Sequence, residues 1–173
     1  PIAQSHNINV IAFSTDQSLA DSSTFLMGFM PSTQAQEIAN YAARNGYRKI
    51  SIVAPRDVYG NIVTSTFESA VRTNGGIVKE IVRYTPSDPN LGTRIAAMSA
   101  DTNAVFIPAS ENDARAIGNY LDQNNMSASR VKRLGTGLWD NPQIAKISTL
   151  QGGLFANPSP QKYAFFKNKY KDA

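Results

Sequence analysis

Short apolar runs bounded by polar or turn residues recur along the chain, and most are followed by apolar residues at helical spacing. Residues 50–54 lie between the basic pair Arg48 and Lys49 and Pro55. They are too few for a helix and read as a strand buried on both faces. Pro55, Arg56, Asp57 and Tyr59 then gather polar and aromatic groups in a loop, and after Gly60 the residues Ile62, Val63, Phe67, Ala70 and Val71 take helical spacing. Asn74, Gly75 and Gly76 stop that helix, since glycine accepts the left-handed conformation a helix end needs. Ile77–Tyr84 follows, with Glu80 and Arg83 among its apolar positions, as an outer strand allows.

The same alternation extends to both sides. Residues 8–13 read as a strand entering the hydroxyl-rich loop 14–18, and residues 24–30 as a second extended run ending at Pro31. Ser32 or Thr33 is expected to cap a helix, with Gln36 completing a capping box from Thr33 and Ile38, Ala39, Tyr41 and Ala42 as its apolar face. Asp88 and Pro89 read as cap and first residue of a helix carrying Leu91, Ile95, Ala96 and Met98. Residues 103–107 form a strand, and Ser110 caps a helix that turns Ala114, Ile117, Tyr120 and Leu121 inward. Residues 131–135 form the next strand, 136–140 its loop, and Asn141 with Pro142 opens a short helix. A last strand spans 152–156, and Ser159 with Pro160 starts a terminal helix with Tyr163, Phe166 and Tyr170 on one face. Strands alternating with helices of this length imply an α/β fold, a doubly wound parallel sheet covered on both faces. There is no internal repeat.

Composition narrows this picture without redirecting it. A chain of 173 residues, 42% hydrophobic, buries one core and is neither disordered nor fibrous in character. The formal charge of +4 is mild and scattered, except for Lys162, Lys167, Lys169 and Lys171, which read as the solvated side of the terminal helix. The absence of cysteine excludes disulfides and thiolate nucleophiles within these residues. No apolar run approaches the roughly 18 residues of a membrane span.

Enzyme motifs are weak. His6 is the only histidine and has no metal-like spacing, so a Ser-His-Asp triad or a histidine-rich metal site is hard to build. Gly135 and Gly137 follow a strand, but Asp140 stands where a dinucleotide fingerprint needs its third glycine, so these glycines are read as making the turn. Ser129 to Lys132 fits a bare Ser-x-x-Lys pattern, yet it leads into a strand and lacks the accompanying motifs. No phosphate loop or aromatic-interleaved basic stripe points to nucleotides or nucleic acid. No metal or cofactor is implied.

The wording Ile11-Ala12-Phe13-Ser14-Thr15-Asp16, then Gly28-Phe29-Met30-Pro31, then Pro55-Arg56-Asp57-Val58-Tyr59-Gly60 after a strand, resembles the type I periplasmic binding proteins. Leu134-Gly135-Thr136-Gly137-Leu138-Trp139-Asp140, followed by Leu150-Gln151-Gly152-Gly153, makes it most similar to their penicillin-binding protein activator lipoproteins. The resemblance implies flavodoxin-like strand order 2-1-3-4-5 in a second lobe at 31–156. Residues 1–30 are then the end of the first lobe and a crossover, and 157–173 a crossover and helix returning to it. A lipoprotein signal would lie upstream, in a parent held to the outer membrane by a lipid anchor. With most of the first lobe lacking, Phe13, Phe25, Phe29, Phe166 and Tyr170 are expected to pack against each other or a neighbouring chain.

In open parallel sheets, ligands bind outside the carboxyl ends of the strands. The expected cleft therefore joins Arg56, Asp57 and Tyr59, Ser110 and Glu111, and Trp139 and Asp140, faced by Ser14, Thr15 and Asp16 from the other lobe. Such a wall suits a small polar ligand or a polar segment of a partner. Several of these residues also have plain structural readings: Ser110 and Asp140 as helix caps, Tyr59 as packing beneath its loop, Trp139 as core. The resemblance implies a non-enzymatic periplasmic protein that stimulates a bifunctional penicillin-binding protein in peptidoglycan synthesis. The alternative is a solute-binding receptor of an ABC import system for amino acids or amides. Such receptors hold the ligand's ammonium with an acid in the loop after the fourth strand of the second lobe. Here that loop puts Leu138 and Trp139 where the acid is expected, with Asp140 displaced toward the following turn.

Overall fold

The computed structural model describes residues 5, 6 and 8–171, so the outermost parts of the two terminal segments lie outside the described residues. Among the described residues seven strands form two sheets: β1 (Val10–Ala12) and β2 (Thr24–Leu26) pair with each other, and β3 (Lys49–Pro55), β4 (Ile77–Tyr84), β5 (Ala104–Phe106), β6 (Lys132–Gly135) and β7 (Leu154–Phe155) form the second sheet. That sheet has the order β4-β3-β5-β6-β7, and every pairing in it is parallel. The five strands thus take the expected 2-1-3-4-5 order.

Strand periodicity divides the core. Ile50, Ile52 and Ala54 face one side of the sheet with Phe106 and Leu134, against helices α1 (Pro31–Arg44) and α2 (Val58–Thr73). Val53, Val82, Val105 and Ile107 face the other, against α3 (Leu91–Ala96), α4 (Glu111–Gln123) and the short 3-10 turns at Ile144–Lys146 and Ser148–Leu150. On the first side the Phe67 and Phe106 rings stack at 4.0 Å. On the second, Arg133 is wholly buried. Its guanidinium donates to the carbonyls of Val131, Met126 and Thr149 and pairs with Asp122 at 3.2 Å, which fixes the turn between α4 and β6.

Helix starts differ from expectation more than strands do. Helix α1 begins at Pro31 with Met30 as its N-cap and no side-chain cap bond, so Ser32 and Thr33 lie inside the first turn and the expected capping box does not organise the start. Proline's fixed φ and missing N–H suit the first helical position. Helix α2 starts at Val58, earlier than expected, because Asp57 caps it by accepting from the Gly60 N–H at 2.6 Å. Asn90, not Asp88, precedes α3, while Asp88 accepts from the Asn90 N–H and pairs with Arg94. The short helix expected after Asn141 is replaced by 3-10 turns. Residues 8–13 and 24–30 contribute only three paired residues each.

The terminal helix α5 (Pro160–Lys169) is capped by Ser159 as expected, but none of its residues is buried. Phe13, Phe25, Phe29, Phe166 and Tyr170 are all exposed, so within the chain the two terminal segments do not cover each other's aromatic residues. Phe166 contacts the ring of Tyr170 on its own helix.

Candidate functional site

Four strand ends meet where β3 lies between β4 and β5, and their loops enclose a pocket of about 290 Å³. β3 contributes Pro55, Arg56, Asp57 and Tyr59, β4 Tyr84 and Pro86, β5 Pro108, Ala109, Ser110 and Asp113, and β6 Leu138. This is the switch point of a doubly wound sheet, where neighbouring loops diverge and leave a crevice.

The walls are tied together by bonds between loops. The Arg56 N–H donates to the Tyr84 carbonyl at 2.6 Å, and Arg83 Nη2 donates to the Pro55 carbonyl and to Asn61 Oδ1 at 2.5 and 2.7 Å. Gly60 lets α2 start hard against β3, since a Cβ there would stand 1.9 Å from the Pro55 oxygen. The hydroxyls of Tyr59 and Thr136 share a bond of 2.7 Å, joining the first and fourth loops. The Tyr84 hydroxyl donates to Asp113 Oδ2 at 3.1 Å, joining the second and third. Burial, and then the Asp113 carboxylate, holds the Tyr84 phenol well above its ordinary range, and burial likewise raises that of Tyr59.

Of the residues expected at the cleft, Arg56, Asp57, Tyr59 and Ser110 line this pocket. Asp57 is also a cap, whereas Ser110 occupies the cap position of α4 without a side-chain bond. Glu111 does not line it and pairs with Arg115 one turn along α4. Trp139 belongs to the core at 4% exposure, its ring filling the space above Gly135, where a Cβ would lie 2.3 Å away. Asp140 is exposed and accepts from Asn157 Nδ2 at 2.7 Å, outside the pocket.

Ser14 and Thr15 line a separate shallow depression with Phe13 and Met27. Asp16 closes its own loop, accepting from the N–H and hydroxyl of Ser18, which lowers its carboxyl below the usual range. Tyr84 and Asp113 are the additions that the structure makes. A tyrosine ending an edge strand, and an acid three residues after a cap position, are their only marks in the sequence.

A larger cavity of about 510 Å³ runs between α1 and β7, lined by Phe29, Met30, Ile38, Tyr41 and Phe155. Its charged groups, Glu37 and Arg44, stand about two helical turns apart and do not converge, so the strand-end pocket is the better candidate. Among the described residues no group of His, Asp or Glu could hold a metal ion, and no helix is long and apolar enough to cross a membrane.

The periplasmic binding protein family matches residues 1–172. The fold is similar to that of a leucine-binding protein from Thermotoga maritima (TM-score 0.71, 19% identity), with 99% of this chain covering 53% of that one. It is also similar to a solute-binding protein of an ABC transporter from Rhodopseudomonas palustris solved with 3,4-dihydroxybenzoic acid (TM-score 0.67, 17% identity, 99% of this chain and 51% of that one). Full-length LpoA from Haemophilus influenzae is a third (TM-score 0.66, 18% identity, 97% of this chain and 32% of that one). At these identities the likeness is one of fold, and the chain spans about half the length of the first two proteins. No curated protein matches the sequence. A match over nearly its whole length and a parallel sheet with a crevice at its switch point place the chain in the periplasmic binding protein family, with the type I fold.

Proposed function

We propose that the chain is the second lobe, with parts of the first, of a non-enzymatic envelope lipoprotein that binds a bifunctional penicillin-binding protein and stimulates peptidoglycan synthesis. The observation that carries this reading is the position of Asp140. Its carboxylate bonds Asn157 outside the pocket, and Leu138 takes the place on the wall where an amino-acid receptor needs its acid. An ammonium left there without its counter-charge costs several kcal/mol, a large part of the roughly 8 kcal/mol that a micromolar ligand supplies. Likeness in fold to LpoA, a penicillin-binding protein activator lipoprotein, supports the same reading. Anchoring at the outer membrane through an upstream lipid belongs to this proposal.

A second reading, a solute receptor of an ABC importer, is favoured by the pocket itself, whose size and mixed lining suit a small polar ligand. Two experiments separate them: a pull-down from envelope extract with the two-lobed parent protein, and a thermal-shift panel of amino acids. The regulatory reading expects a penicillin-binding protein in the pull-down and no shift in the panel. A saturable rise in Tm with one amino acid, without a penicillin-binding protein partner, overturns it, because ligand that binds only the native state raises stability by mass action.

A further inference from the structure

We propose that Asn45 is a modification site, where the side-chain amide is lost spontaneously to leave aspartate or isoaspartate, and that the fold shields the identical Asn74-Gly75 pair from the same reaction. Asn45-Gly46 ends α1 and Asn74-Gly75 ends α2, with the glycines at φ +80° and +72°. Glycine puts no side chain over its own nitrogen and lets the backbone turn freely there. That nitrogen can attack the Cγ of the asparagine before it. At Asn45 the bond from the Gly46 nitrogen to Cγ forms and the Cγ–Nδ2 bond breaks, the proton of the Gly46 N–H leaving with Nδ2 as ammonia. Water then opens the cyclic imide at either carbonyl, and one new carboxylate remains.

Both glycine N–H groups bond back into their helices, Gly46 to the Ala43 carbonyl at 3.2 Å and Gly75 to the Arg72 carbonyl at 2.9 Å, so the attack requires the helix end to open. The two ends differ in what opening breaks. Asn45 and Gly46 are exposed, a Cβ on Gly46 would meet nothing within 4 Å, and among the described residues the Asn45 amide bonds only the Tyr41 carbonyl of its own helix, at 2.9 Å. Asn74 is half-buried and tied to other elements. Its Nδ2 donates to Asn40 Oδ1 on α1 at 2.9 Å as well as to the Ala70 carbonyl at 2.7 Å, and its own carbonyl accepts from the Arg48 guanidinium at the start of β3. One bond to a charged group shifts such an opening equilibrium about tenfold or more. The carboxylate formed at Asn45 stands at the negative end of the α1 dipole, where it weakens the last turn. It lies before the amino end of β3, away from the strand-end pocket at the carboxyl end, so neither reading of that pocket bears on it.

The test incubates the chain at mildly alkaline pH, folded and in guanidinium chloride, and follows the mass of each Asn-Gly peptide after digestion. In the folded chain Asn45 is expected to convert about tenfold or more faster than Asn74, with isoaspartate among its products. In guanidinium chloride the two are expected to convert at nearly equal rates, since the dipeptides are the same. Arg48→Met, at an exposed position, is expected to speed Asn74 about tenfold and to leave Asn45 unchanged. Asn40→Ala is expected to speed Asn74 by a smaller factor. Equal rates in the folded chain, faster loss at Asn74, or an Asn45 that converts in guanidinium chloride but not in the folded chain overturns the proposal. An Asn74 rate that neither variant raises overturns the shielding assigned to these bonds.

Discussion

Phe67 and Phe166 are the same residue type on two helices, α2 and α5, and they have opposite fates. Phe67 is wholly buried, stacked on Phe106 between α2 and the sheet, whereas Phe166 is 59% exposed and touches Tyr170 on its own helix. The contrast extends to whole regions. Between Pro31 and Ala156 the apolar faces close on a five-stranded sheet, while β1, β2 and α5 leave Phe13, Phe29 and Phe165 at 84, 69 and 73% exposure. Periodicity in a sequence announces that a face requires cover. What supplies the cover is a tertiary fact, and in the terminal segments this chain does not supply it.

That difference is sharpened most by truncating the two rings. Phe67→Ala is expected to cost about 3–5 kcal/mol, from lost burial and the cavity left behind, and Phe166→Ala less than about 0.5 kcal/mol, both read from urea unfolding of the single chain. Equal losses would erase the distinction between the regions. Arg133→Met comes next, at about 2–4 kcal/mol, because two buried carbonyls and one part-buried carbonyl lose their charged donor. An unchanged midpoint would mean that the turn between α4 and β6 is held by packing alone.

A smaller effect is alkaline. The Tyr84 phenol is raised above its ordinary value of 10.0, with burial the main cause, so it is neutral in both folded and unfolded chains at neutral pH. Above about pH 10 the unfolded chain ionises first, and stability falls as pH rises toward the folded value, by at most about 1.4 kcal/mol per pH unit for this group. Tyr84→Phe is expected to flatten the unfolding free energy between pH 9 and 11, and an equally steep fall in that variant would place its cause elsewhere. Caps give the smallest contrast. Asp57→Ala should cost about 1 kcal/mol because α2 is bound into the core, while Ser159→Ala on the uncovered α5 should leave global unfolding unchanged.

The sheet was legible because strands buried on both faces read largely as apolar runs, as around Ile52, and the edge strand admits charges at Glu80 and Arg83; Arg133, buried within β6, is the exception. Helix starts were less so, because neighbouring residues offer competing starts, and Pro31 and Asp57 prevailed over the expected positions. Gln34, in the first turn of α1, accepts from the Gly137 N–H at 2.9 Å across the fold. The loop after β3 was recognisable as a cleft wall from its polar and aromatic residues at a strand end. The pairing of Tyr84 with Asp113 was not, since it depends on β3 lying between β4 and β5 so that their two loops meet. Trp139 was open between core and cleft, and Gly135 decides it by leaving room for the ring. Glu111 and Asp140 were drawn away from the pocket by nearer partners, Arg115 and Asn157.

The regulatory role is tested most directly by the rate of peptidoglycan synthesis by a purified bifunctional penicillin-binding protein of the same organism, measured with increasing amounts of the two-lobed parent protein. A rate that rises and saturates with added protein is the expected result. A rate that stays flat at every concentration contradicts the account.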